Sequence, residues 1–133
     1  MSYLRFERSV MTNLEESLSR ELLRTNRSGA YACSTIVDCN TRKYHGLLVV
    51  PVPEMDKDNH VLLSSLDVTV VQHGAEFNLG LHKYAGNNYS PNGHKYIREF
   101  NCDSVPTTIY RVGGVILKKE VVFQHYEDRV LVR

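Results

Sequence analysis

Two runs rich in β-branched residues, 107–112 and 115–123, meet at Gly113-Gly114, and this pairing constrains the fold more than any other feature of the chain. A two-residue hairpin turn needs positive φ at its centre, and a glycine pair supplies it without steric cost. The flanking runs are therefore antiparallel neighbours. A hairpin alone is marginal in water, so other strands must cover its apolar side. The chain has 133 residues, 42% hydrophobic and 23% charged, which suits one soluble domain with a buried core and excludes wholesale disorder.

The rest of the sequence supplies those strands. Residues 31–37 are small and β-branched, 38–41 (Asp-Cys-Asn-Thr) carry turn chemistry, and 43–50 return as a second strand. Residues 62–71 alternate in polarity as a half-buried strand does, His73-Gly74 turns the chain, and 75–79 come back. Residues 80–93 read as loop, with Tyr84, Tyr89 and Tyr96 in or beside it. Residues 130–133 open a further strand. Only the start is helical: Thr12 can cap, Glu15 sits at the capping-box position, and Leu14, Leu18 and Leu22 follow at four-residue spacing. Residues 21–23 could equally begin a strand. The expected fold is an all-β antiparallel sandwich with a short N-terminal helix, over 1–133 as one domain or part of one.

Several chemistries are excluded. Sixteen Lys+Arg against fifteen Asp+Glu is too balanced for a partner held by bulk charge, so nucleic acid is not expected. The longest apolar run contains Pro51 and cannot span a bilayer, and the charged first octet is unlike a secretion signal. Neither a phosphate loop nor a dinucleotide fingerprint is present. The six histidines show no metal-ligand spacing, and no metal or other cofactor is expected. Cys33, Cys39 and Cys102 are an odd set without C-x-x-C. They read as reduced, packed thiols in a reducing, cytoplasmic setting, with a Cys33–Cys39 bridge the one alternative. The carboxylates form no recognisable catalytic pair, and no catalytic residue is assigned.

One segment stands apart. Residues 40–46, Asn-Thr-Arg-Lys-Tyr-His-Gly, place Arg42, Lys43, Tyr44 and His45 at a turn and strand entry beside Gly46. Sugar recognition uses this mixture: an aromatic face against a pyranose ring, a planar multi-donor cation for hydroxyls, and a glycine for close approach. On the residues alone, a solvated turn before a buried strand is the simpler account.

Here the chain resembles the N-terminal domain of microbial glycogen debranching enzymes. Residues 23–32 (LRTNRSGAYA) are similar to that family's LLTNGxGGYA opening, and 41–49 (TRKYHGLLV) to its TRRYHGLLVA motif. Ser64-Ser65-Leu66-Asp67, Tyr84 with Gly86, residues 90–93 and residues 110–115 follow in the family's order. Arg27 and Ala30 stand where the family carries glycines, and Leu22 where a tryptophan is common, which questions the backbone of that loop. The resemblance implies a glucoamylase-type sandwich ahead of an (α/α)6 toroid that holds the catalytic carboxylates. The chain would then be a non-catalytic part of an amylo-α-1,6-glucosidase acting on glycogen-like α-glucans. By the same resemblance Arg42, Tyr44 and His45, with Thr25 and Asn26 behind them, face substrate: Arg42 bonding hydroxyls, Tyr44 stacking or hydrogen-bonding, His45 orienting the loop.

The expected partners are an α-glucan and a C-terminal helical catalytic domain of a longer parent, with the terminal strand open to self-association. Two other readings stay alive: a stand-alone carbohydrate-binding module, and a β-sheet scaffold in which the motif residues only pack.

Overall fold

The computed structural model describes residues 4–133. Two antiparallel sheets dominate it. The larger is formed by β1 (Leu4–Glu7), β10 (Ile97–Cys102), β11 (Pro106–Val112), β12 (Val115–Phe123) and β13 (Val130–Val132), paired in that order. The smaller runs β2 (Glu21–Thr25), β3 (Tyr31–Thr35), β4 (Gly46–Pro51), β5 (Asn59–Leu63). Two hairpins complete the β structure, β6–β7 (Thr69–Gln72 and Ala75–Asn78) and β8–β9 (His82–Tyr84 and Asn88–Ser90). The chain is an all-β sandwich with short helical turns.

The hairpin at Gly113-Gly114 forms as expected, with φ of +53° and +84° and Val112 paired to Val115. His73-Gly74 makes the same kind of turn, at +51° and +79°. Elsewhere the structure corrects the reading. The start holds two short helices, α1 (Arg8–Met11) and α2 (Leu14–Leu18), and not one. Asn13 caps α2 by accepting from the Glu16 amide at 3.2 Å, whereas the Thr12 hydroxyl turns back to the Arg8 carbonyl. Residues 21–25 take the strand alternative. The strand expected over 62–71 is broken, because residues 64–68 leave the sheet. Asn40 Nδ2 and the Leu47 amide both donate to the Ser64 carbonyl, and His82 holds Asp67 at 2.7 Å. The 80–93 loop contains the β8–β9 hairpin, and Tyr89 and Tyr96 pack on the core.

The core lies between the sheets: Met11, Ile36, Val37, Cys39, Leu79, Leu81, Ile97, Phe100, Tyr110 and Val112 are all buried. A smaller cluster of Ala30, Val50 and Phe123 closes one end. A cavity of about 90 Å³ remains between the layers. Lys119 lies half-buried beside it, with Nζ 2.7 Å from Asp38 Oδ2 and 5.6 Å above the Tyr110 ring. Burial disfavours the ammonium, but Asp38 and Tyr110 outweigh it and hold Lys119 above its ordinary value. The three cysteines are buried free thiols, so no Cys33–Cys39 bridge forms. No helix among the described residues is long and apolar enough to cross a membrane. The first three residues of the N-terminal octet lie outside the described range.

Candidate functional site

Strand β3 ends at Thr35, and ten residues pass before β4 begins at Gly46. A connection of that length cannot satisfy its own backbone as a tight turn, so side chains do it. Thr35 Oγ1 donates to the Cys39 carbonyl and accepts from the Cys39 amide. Asn40 accepts from Ser34 and donates to Ser64. The last turn is organised by His45, whose side chain is fully buried. Its Nδ1 accepts from the amides of Thr41 at 2.9 Å and Arg42 at 3.2 Å. An acceptor carries no proton, so the hydrogen sits on Nε2, which faces Glu21 Oε1 at 3.0 Å.

Glu21, at the head of β2, is the hub. Its Oε1 accepts from His45 and from Arg42 Nε at 2.5 Å, and its Oε2 accepts from the Tyr44 hydroxyl at 3.2 Å. Tyr31 fixes the same loop by donating to the Tyr44 carbonyl at 3.0 Å. The Tyr44 ring meets His45 edge-on, with centroids 5.2 Å apart at 81°, and remains 47% exposed. Gly46 lets the strand start flush: a Cβ there would lie 2.7 Å from Val49 Cγ2 and 3.2 Å from Val61 Cγ1. The close approach it permits is that of neighbouring side chains.

The electrostatics follow from these contacts. Burial raises the Glu21 carboxyl, but the hydrogen bond and charge of Arg42, with His45 and Tyr44, more than offset it, and the group sits below its ordinary value. Glu21 in turn pushes the Arg42 guanidinium further up. Burial, and then the charge of Glu21, raise the Cys33 thiol. The site thus holds a carboxylate, a guanidinium, a neutral imidazole and a neutral thiol.

Glu21, Cys33 and His45 place ligand atoms within 4.8 Å of one another. The donor set does not fit a metal. Coordination through Nε2 would require a proton on Nδ1, where two backbone N–H groups already point, and the thiol is held protonated. The same thiol is a poor nucleophile.

Of the residues singled out in the sequence, Arg42, Tyr44 and His45 come together on Glu21. Thr25 and Asn26 lie at the other end of β2, about 13 Å along the strand. Thr25 is exposed and pairs with Tyr31. Asn26 is fully buried, and its side chain is saturated. Its Oδ1 accepts from the Ser28 and Ala30 amides, and its Nδ2 donates to the Glu127 carbonyl and Asp128 Oδ1. Arg27 takes the positive φ of a glycine (+68°) and Ala30 does not. Glu21 and Tyr31 were not singled out in the sequence. The one signal was an acid at the head of a strand ahead of a basic, aromatic turn.

Set against known proteins, the chain matches the model of one family, described as glycogen debranching enzyme N terminal, over residues 20–133. No curated protein and no solved structure matches it.

Proposed function

Because the chain belongs to the glycogen debranching enzyme N-terminal family, we propose that it serves as the non-catalytic sandwich of a debranching-type glycoside hydrolase. In this reading the catalytic carboxylates lie in a helical toroid of a longer parent, which cleaves α-1,6 branch stubs. The sandwich supports the toroid and offers α-glucan contacts from the Arg42–Tyr44 face. The observation that carries the reading is the loop geometry: a buried, neutral His45 and a shared Glu21 present an exposed guanidinium and a half-exposed aromatic ring side by side. A polar group with a flat apolar wall is what a pyranose ring requires. The buried free thiols suit a reducing, cytoplasmic compartment.

Calorimetric titration with maltooligosaccharides, with a β-linked glucan as control, tests the reading. Selective binding of the α-glucan, weakened about tenfold by Arg42→Ala, is expected. Absence of binding by this chain and unchanged kinetics of Arg42→Ala in the longer parent would overturn it.

A further inference from the structure

Glu21 and Arg42 do not exhaust their hydrogen-bonding capacity on each other. Arg42 uses only Nε towards Glu21. Its terminal nitrogens have no partner among the described residues, and the side chain is 60% exposed. Glu21 Oε1 is filled by Arg42 and His45, but among the described residues Oε2 accepts only from Tyr44 and keeps one acceptor position. The carboxylate is itself 26% exposed. A free acceptor and free planar donors thus lie on the two partners of one ion pair, beside the Tyr44 ring.

The charged and titratable groups around Glu21 are Arg42, Tyr44 and His45 on the β3–β4 loop and Cys33 on β3. The carboxylate and guanidinium cancel, while His45 and Cys33 are neutral. An anionic ligand approaching Arg42 would meet Glu21 at once. A neutral ligand with one hydroxyl to donate and a neighbour to accept meets no such penalty.

We propose that Glu21 and Arg42 form a two-armed clamp for adjacent hydroxyls, with Tyr44 as its apolar wall, so that the site takes neutral sugars bearing a vicinal diol. The inference rests on the reading of this face as a glucan contact and adds the chemical group that is recognised. Glu21 acts twice, positioning Arg42 and Tyr44 and binding one hydroxyl itself.

The test is titration of the intact chain at neutral pH with three probes: maltotriose, maltotriose lacking one hydroxyl of each 2,3-diol, and phosphorylated maltotriose. The wild type is expected to bind maltotriose about tenfold better than either analogue. Glu21→Gln is expected to lose about that factor for maltotriose and to stop discriminating against the deoxy analogue. A fold defect alone would scale all three affinities together. Arg42→Lys, which keeps the charge but not the planar fork, is the second variant and is expected to lose discrimination too. Undiminished discrimination in Glu21→Gln, or in Arg42→Lys where the first variant misfolds, overturns the clamp and leaves the glucan reading standing. Preferential binding of the phosphorylated probe also overturns the clamp alone. Failure of the wild type to bind maltotriose overturns the clamp, and the glucan reading falls with it if Arg42→Ala also leaves the kinetics of the longer parent unchanged.

Discussion

The two loops at opposite ends of β3 are built by the same device and put to different ends. In the 26–30 turn, Asn26 Oδ1 accepts from two backbone amides; in the 41–45 turn, His45 Nδ1 does the same. Both side chains are buried. They differ in where the far side of each group points. Asn26 donates to Glu127 and Asp128 on the β12–β13 connection and so ties one sheet to the other. His45 donates to Glu21, which passes the order on to exposed Arg42 and Tyr44. A buried polar group thus becomes a fastener or a support for a surface site according to what its second polar atom meets.

Removing the fastener should produce the largest effect. Asn26→Ala takes the acceptor from the Ser28 amide and from the buried Ala30 amide and cuts the tie to Glu127 and Asp128, and a loss of about 3 kcal/mol in denaturant unfolding is expected. Asn26→Asp should recover little, since it keeps the acceptor but sets a carboxylate beside Asp128. His45→Ala should cost less, about 2 kcal/mol, while disordering residues 41–45. If the two losses came out in reverse order, the division between fastener and support would fail.

Acid should separate the loops next. Glu21 is depressed in the folded state, so its contribution is present above the ordinary carboxylate value of 4.5 and is lost as pH falls through the lower folded value. Protection of the Thr41 and Arg42 amides from hydrogen exchange is expected to drop over that range before that of Ser28 and Ala30, and Glu21→Gln should remove the difference. The smallest effect is a gain. Arg27 holds a φ of +68°, so Arg27→Gly should stabilise the chain by under about 1 kcal/mol in the same unfolding assay.

The sequence revealed those parts of the fold where turn chemistry and alternation agree. The β11–β12 and β6–β7 hairpins read directly because a glycine or a His-Gly pair sits between alternating runs. Strand β10 hid because a bulge between Ile97 and Glu99 shifts its register, so that buried Ile97 and Phe100 stand three apart and break the period of two. Residues 64–68 kept the pattern of a strand, but after the Ser64 carbonyl, which still accepts from the Leu47 amide of β4, the chain leaves the sheet and His82 holds Asp67. At the site, residue types in 42–45 drew attention locally. Glu21 could not, because its contacts span 21 to 24 residues and exist only once the long β3–β4 connection has folded. Asn26 drew attention as part of a motif, and nothing in its neighbours announced Glu127 and Asp128, 101 and 102 residues away.

That separation has a consequence for the order of events during synthesis. The turn at 26–30 leaves the ribosome early, yet Asn26 cannot complete its bonds until residues 127 and 128 have followed it out. The first hairpin therefore waits half-latched while about a hundred further residues are made, and it closes only once residues 127 and 128 have emerged.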